Sequence, residues 1–292
     1  MGIIDIKRRI KSVQSTRKVT KAMQMVSAAK MKKAQSLALS SRTYAEAAWA
    51  LIQNIANTGS FENPLLKTYP GAKKTGVIVL TSNRGLVGSL NTNVLIQLKK
   101  LSDSLGETIA EIITYGKKGN QTLSRMRKTI IADFLKEDKT IQAEEIYPIA
   151  QMVAQMYASG EYKKVYIVYN QFISTLVQKP QAKQIFPFRE ALRKDLTEDT
   201  DELSNTDTEY IYEPDPKVVL EHLLPRIIES QIYEAILESN ASEHSARMVM
   251  MKNATESAGD LISDLTLTYN GLRQGKITTE LSEITAGRIA LE

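Results

Sequence analysis

Residues 242–254 read SEHSARMVMMKNA, and the spacing of their small and apolar side chains is typical of one face of a long helix. Ser245, Met248 and Met251 follow one another at intervals of three, and Thr255 comes four residues later. The same steps continue on both sides, at Leu237, Ala241, Ala258, Ile262, Leu265, Tyr269 and Leu272. So narrow a stripe is the seam of a coiled coil, and it predicts a second helix of comparable length as its partner.

The N-terminal segment is the obvious partner. Residues 3 to about 56 contain no proline or glycine, and a helix of this length would measure roughly 80 Å. The segment NTGSFENP, with Gly59 and Pro64, should end it. The predicted stripe consists of Ile6, Ile10, Val13, Met23, Val26, Leu37, Tyr44, Leu51 and Ile55.

Helix is predicted again from Asp215 to the C-terminus. Pro216 suits a first helical turn, whereas Pro225 lies inside the pattern and should kink or restart the helix. Because both terminal helices adjoin the same middle segment, we expect them to run antiparallel and to form a rod on a compact foot.

The middle of the chain alternates between strand and helix. KKTGVIVL, TIAEIITYG and TIIADFL have the β-branched runs of buried strands, and NTNVLIQLKKLSDSL, KKGNQTLSRMR and EEIYPIAQMVAQMYASG read as helices between them. This order predicts a parallel sheet with crossover helices. After a fourth strand we expect a turn at Tyr169 to Gln171 and an antiparallel edge strand.

The predicted fold is therefore α/β with a long antiparallel coiled coil, in which the terminal helices form a rod and the central domain is Rossmann-like with a mostly parallel sheet. The predicted domains are the N-terminal helix at 1–58, the α/β domain at 59–214 and the C-terminal helix at 215–292.

Composition limits the function classes. The chain has no cysteine, which excludes disulfides, thiolate catalysis and cysteine-ligated zinc. Its net charge of +5 conceals a strong polarity, since residues 1–42 carry eleven Lys and Arg against one acid, Asp5. Residues 195–215 carry nine acids and no base, and we expect a mobile loop there. No segment has the length of apolar sequence that a membrane span needs.

Glu243 and His244 are the first candidates for chemistry. Adjacent helical residues diverge by about 100°, so the two side chains do not face each other as an acid and base pair. His222 and Glu221 lack the spacing of a metal site. We therefore expect no catalytic, cofactor or metal residues here.

Two other functions stay open at this point. The segment TSNRGLVGSLN, residues 81–91, lies after a strand and before a helix, where a Rossmann-like enzyme would bind nucleotide phosphates, but it lacks the GxGxxG pattern. The basic N-terminal helix could instead bind nucleic acid, although it lacks interleaved aromatic residues.

Several segments together resemble the gamma subunit of bacterial F-type ATP synthases. They are ITTELSEITAG at 277–287, ASEHSARMVMMKNATESA at 241–258, and the N-terminal DIKRRIKSVQSTRKVTKAMQMVSAAKM. TSNRGLVGSLN and YIYEPDP match internal landmarks of the family in the same order. The sequence departs from the family pattern at Arg288, Gly271 and Gly275, and each glycine should weaken the helix by about 1 kcal/mol relative to alanine.

The resemblance implies a non-catalytic rotor shaft. In the family the coiled coil turns inside a ring of three alpha and three beta subunits, whose beta subunits hold the catalytic sites. It also implies contacts with the epsilon subunit and the membrane c-subunit ring, no nucleic acid, no cofactor, and a peripheral location on the cytoplasmic face of the bacterial membrane without insertion into it.

Matching positions carry the family's contact residues onto this chain. Met23 is expected near an acidic lever loop of a beta subunit, and Arg273, Gln274, Thr278 and Glu280 near inner loops of the alpha and beta ring. Tyr210 and Glu213 are expected at the foot, against the epsilon subunit and the membrane rotor ring.

Overall fold

A computed structural model describes residues 2–58, 63–106, 111–137, 141–188 and 212–289. Along the chain, one long helix precedes an α/β segment and another follows it, as the sequence predicts. The helices are α1 (Ile3–Thr58), α2 (Leu90–Leu105), α3 (Lys117–Arg125), α4 (Tyr147–Ala158) and α5 (Pro216–Ile289), and the strands are β1 (Lys74–Leu80), β2 (Glu111–Tyr115), β3 (Ile130–Phe134), β4 (Tyr162–Phe172) and β5 (Gln178–Phe186).

The five strands form one sheet in the order β3-β2-β1-β4-β5. The pairs β1 with β2, β1 with β4 and β2 with β3 are parallel, whereas β4 and β5 are antiparallel. The predicted parallel sheet with an antiparallel edge strand is therefore confirmed. The sequential order reverses between β1 and β4, the point at which a doubly wound sheet opens a crevice at its carboxyl edge.

Helices cover both faces of the sheet, and β1 contributes to the core on each side because its alternate residues point to opposite faces. Ile78 and Leu80 pack in a large core with α4 and with the parts of α1 and α5 nearest the sheet. Val77 and Val79 pack on the other side against α2 and α3. The resulting three layers explain why β1 reads as a continuous apolar run.

The predicted turn at Tyr169 to Gln171 is wrong. These residues continue β4, and each pairs with a residue of β5 from Lys179 to Gln181. The chain reverses instead within residues 173–177, where the Ser174 N–H donates to the Val177 carbonyl at 3.0 Å. The polar side chains of Asn170 and Gln171 suggested a turn, but the strand extends past β1 to hold its edge partner.

The helix does not restart at Pro225, which lies inside α5. Proline removes one helical hydrogen bond. The buried neighbours Leu224, Ile227 and Ile228 hold this part of α5 in the core, so packing offsets the lost bond.

The chain divides into two compact units, residues 29–246 and residues 1–28 with 247–292. This division by packing differs from one by secondary structure, because Ile52 and Ile55 of α1 and Leu220 to Ile236 of α5 belong to the core around the sheet. Each long helix thus contributes residues to both units.

In the second unit, residues 3–28 of α1 pack antiparallel to α5. Thr255 Oγ1 donates to Thr20 Oγ1 at 2.8 Å, and Gly259 lies beside the guanidinium of Arg17. Partner positions therefore move in opposite directions along the two helices. Val26 was predicted in this stripe but is 56% exposed, whereas Ser27 beside it is 4% exposed.

Candidate contact sites

The carboxyl edge of the sheet is the place where a Rossmann-like protein would bind a ligand, and here one turn of α5 lies against it. Ser242 Oγ donates to the backbone carbonyl of Asn170 at 2.9 Å, and Asn170 Nδ2 donates to the Leu90 carbonyl at 3.1 Å. Ser245 Oγ donates to the Thr175 carbonyl at 2.7 Å. This turn of α5 thus contacts both sides of the crevice, with Asn170 at the end of β4 and, through Ala246, Leu90 at the start of α2.

Glu243 joins the same turn of α5 to the chain beyond β3 through an ion pair with Lys136. Both side chains are buried, with 7% and 8% of their surfaces exposed. A buried charge needs such a partner, because desolvation alone would be costly. Glu243 therefore has a structural partner, while His244 is half-buried at the next position.

The polar groups of the loop TSNRGLVGSLN form hydrogen bonds with one another and with the start of α3. The Ser82 N–H donates to Asn91 Oδ1 at 3.0 Å, and Asn91 Nδ2 donates to Ser82 Oγ at 2.8 Å. The Gly119 N–H, at the start of α3, donates to Thr81 Oγ1 at 2.8 Å. Donors of the kind that would hold a phosphate are thus used to close a structural turn.

Burial and nearby acids change the ionisation of two tyrosines at this edge. Burial raises the pKa of Tyr115 far above 10.0, and the negative charges of Glu145, Glu243 and Glu137 add to the effect. Burial also raises the pKa of Tyr169, with a contribution from Glu238. Both hydroxyls stay protonated at neutral pH, as packing residues require.

Met23 lies half-buried on α1, on the side of the helix that also carries the buried Ser27. Beside it, the Lys21 ammonium donates to Gln24 Oε1 at 3.3 Å. The basic residues of this part of α1 are all exposed: Lys7, Arg8, Arg9, Lys11, Arg17, Lys18 and Lys21. Met23 is therefore bordered by a positively charged surface.

The last part of α5, residues 273–289, forms the tip of the helix. The pairs of positions 20 with 255 and 17 with 259 set a register in which the first residue of α1 lies opposite about residue 272, so the tip extends beyond α1. Every described side chain from 271 to 286 is exposed. Within the described ranges, the tip is thus a single helix.

Four of the predicted contact residues, Arg273, Gln274, Thr278 and Glu280, lie together on this tip. Thr278 Oγ1 donates to the Gln274 carbonyl at 3.0 Å, and the Lys276 ammonium lies 3.6 Å from the Glu280 carboxylate. Ile277, Leu281 and Ile284 add an apolar stripe with exposures of 45%, 59% and 69%. An apolar stripe of this kind, on a helical segment that no other described helix covers, is typical of a surface that a partner covers.

The two predicted foot residues are only partly placed. Glu213 is exposed just before α5 begins. Tyr210 and the acidic segment 195–209 lie outside the described residues. His222 and Glu221 are exposed on α5, and the described part of the chain contains no group of three acids or histidines arranged for a metal ion.

Sequence reasoning missed Lys136 and Ser242 as contacts between α5 and the α/β segment. It assigned Ser245 to the seam between the two long helices, whereas the Ser245 hydroxyl contacts the turn after β4. Lys136 and Glu243 are 107 residues apart, and neither position stands out by its spacing.

None of the described helices is long and apolar enough to cross a membrane.

Comparison with known proteins identifies the family. The family model described as ATP synthase matches residues 2–291. The ATP synthase gamma chain of Roseiflexus castenholzii is 40% identical over 291 residues, covering 98% of this chain and 97% of its own, and that of Pelotomaculum thermopropionicum is 41% identical, covering 99% and 98%.

A solved structure has the same fold along most of the chain. It is the central stalk and c-ring of the Tetrahymena thermophila mitochondrial ATP synthase, in which a chain aligns with a TM-score of 0.60 and 25% identity, covering 81% of this chain and 99% of that one. Together with the family match and the two near full-length relatives, this shows that the chain belongs to the ATP synthase gamma chain family.

Proposed function

We propose that this chain is the rotating central shaft of a bacterial F-type ATP synthase. It turns inside a ring of three alpha and three beta subunits and couples proton flow through the membrane sector to ATP synthesis or hydrolysis on the beta subunits. The observation that carries the proposal is the tip at 273–289, which stands alone among the described residues, has exposed side chains from 273 to 286 and carries an apolar stripe. A ring can cover such a helix on all sides.

The shaft acts through unequal contacts. A single helix has no threefold symmetry, so three identical beta subunits around it meet different side chains. A subunit conformation is favoured only by the interactions it gains, and rotation passes each set of contacts to the next subunit. The chain itself carries no catalytic residue, cofactor site or metal site in this proposal.

The contact residues divide between two ends. Met23 on α1 contacts the acidic lever of a beta subunit, and Arg273, Gln274, Thr278 and Glu280 contact inner loops of the alpha and beta subunits. At the foot, Tyr210 and Glu213 contact the epsilon subunit and the c-subunit ring. The chain therefore works at the cytoplasmic face of the cell membrane as a peripheral subunit, without inserting into the bilayer and without binding nucleic acid.

Reconstitution tests the proposal. Purified alpha and beta subunits should form a stable complex that hydrolyses ATP when this chain is added, and this chain alone should hydrolyse nothing. Tight binding of ATP by the isolated chain, without entry into the ring, would instead support a nucleotide-binding enzyme. Tight binding of nucleic acid at physiological salt, again without entry into the ring, would support a nucleic-acid-binding protein.

Met23→Lys tests the placement of the lever contact. An added positive charge should bind the acidic lever too strongly and hinder its release, so proton pumping per ATP should fall while folding is retained. Pumping and hydrolysis are measured on the same membrane vesicles.

Met25→Lys is the matched control, because Met25 is 59% exposed two residues away and points in a different direction from the helix axis. It adds the same charge. An equal loss of pumping in both variants, or none in either, would contradict the placement of Met23.

A further inference from the structure

The turn of α5 at residues 242–246 is held by polar contacts from several loops at once. Ser242 contacts the end of β4, Ser245 contacts the turn between β4 and β5, and Glu243 forms the ion pair with Lys136 beyond β3. Ala246 packs with Val87 of the loop between β1 and α2 and with Leu90, the first residue of α2. The helix is thus attached to three separate segments around the carboxyl edge of the sheet: residues 87–90, Lys136 and residues 170–175.

These contacts differ in kind from those of α5 nearer its start. There the helix packs mainly through apolar side chains, with a long hydrogen bond of 3.4 Å from the Tyr233 hydroxyl to the Ile141 carbonyl beside them. The apolar residues are Leu220, Leu224, Ile227, Ile228, Ile232, Ala235 and Ile236. Apolar contact is non-directional, and it tolerates a small rotation of the helix about its own axis. Hydrogen bonds and buried ion pairs weaken steeply when the angle or distance changes.

The position of the turn along α5 matters as well. The compact unit that contains the sheet ends at Ala246. Residues 242–246 are therefore the last part of α5 that packs within this unit. When a helix is twisted at one end, the load is greatest at the first attachment that resists rotation.

We infer that the Lys136 and Glu243 ion pair, together with the hydroxyls of Ser242 and Ser245, fixes the rotational position of α5 against the sheet. These four side chains are positioning residues that transfer torque between α5 and the α/β domain. The inference rests on the proposed rotor function, and it adds where within this chain the torque is transferred.

The test uses the complete ATP synthase in membrane vesicles. The variant combines Lys136→Met with Glu243→Leu and so removes both charges. A single substitution would leave one charge buried and unpaired and would unfold the domain. Ser245→Ala removes one hydrogen bond and keeps the ion pair. Lys74→Met is the control, because Lys74 pairs with Glu111 and Glu161 at the opposite edge of the same sheet.

Two quantities are measured on each preparation, the rate of ATP hydrolysis and the final pH gradient. In the double variant we expect the rate of ATP hydrolysis to stay within about twofold of the parent and the final pH gradient to be at least about twofold smaller. The torque on α5 is greatest when the gradient is steepest, and a weakened attachment would slip at that point without pumping protons. Ser245→Ala should lie in between, and Lys74→Met should match the parent.

Hydrogen exchange locates the change. Amides of residues 240–246 should exchange faster in the double variant and in Ser245→Ala, while those of residues 227–236 should not change. A double variant that assembles and builds the parental gradient would overturn the inference. If the double variant does not assemble, a parental gradient in Ser245→Ala would overturn it equally.

These results are distinguishable from a failure of the proposed function. In that case the parent chain would form no complex that hydrolyses ATP, whereas here the parent complex works and only the gradient under load differs among variants.

Discussion

Gly116 shows how closely the segments at the carboxyl edge of the sheet approach one another. Its φ of +106° lies where side chains are rarely tolerated, and a Cβ atom there would lie 2.2 Å from the Thr81 carbonyl oxygen. The Thr81 hydroxyl donates to the Gly116 carbonyl at 3.0 Å. Glycine is therefore required for β2 to turn into α3 against the end of β1.

Gly116→Ala should lower the free energy of unfolding by more than about 2 kcal/mol, because the methyl group meets backbone that cannot move without disturbing β1. Denaturant unfolding followed by circular dichroism measures the change. Gly85→Ala is the control, since a Cβ there has nothing within 4 Å. We expect its effect to stay within about 1 kcal/mol, and equal effects at the two positions would contradict this account.

Ion pairs such as Lys136 with Glu243 could not be predicted from the sequence. Each residue is an ordinary charged position in its own segment, and only the folded chain brings the two together. The exposed residues of the tip are different, because their family motif is continuous in sequence. That motif led to Arg273, Gln274, Thr278 and Glu280, which the structure places on one helix.

At the scale of elements, the strands and helices could be predicted because their periods are clear. The errors came where tertiary packing overrides hydrophobicity. At about 100° per residue, Ser27 lies roughly 20° from the direction of Thr20, whereas Val26 points about 120° away. The register set by Thr20 and Thr255 therefore buries the serine and exposes the valine. The turn after β4 was misplaced because pairing with β5 extends the strand.

Gly271→Ala and Gly275→Ala should each stabilise the tip helix by about 1 kcal/mol, because nothing lies within 4 Å of either position and alanine is the better helix former. Amide hydrogen exchange across 270–289 should slow by about fivefold for each change. Gly259→Ala, in the paired part of α5, should leave exchange at the tip unchanged. Equal exchange in all three variants and the parent would refute a tip that is stabilised only by its own helix.

At the scale of the whole molecule, charge is distributed unevenly. The net charge of +5 results from a basic N-terminal segment and an acidic segment at 195–215. The exposed bases on residues 7–21 of α1 create a positive surface that should attract acidic partners from a distance and speed their association.

Replacing Lys7, Lys11 and Lys18 together by glutamine should slow entry of the chain into the complex with alpha and beta subunits. We expect a decrease of about threefold to tenfold at low salt, and less at high salt, where the charges are screened. Rapid mixing with a fluorescent label measures the rate. The same change at the exposed lysines 99, 100 and 128 is the control, and an equal decrease there would show that only net charge matters.

The turn of α5 in the crevice between β1 and β4 acts as a ligand that is covalently tethered to its own receptor. A tethered group is present at a very high effective concentration, on the order of millimolar or more, and it cannot diffuse away. A small molecule would have to displace Ser242 and Ser245 from their carbonyl partners to enter. A helix of the chain itself thus lies at the place where a doubly wound fold commonly offers a crevice to a cofactor.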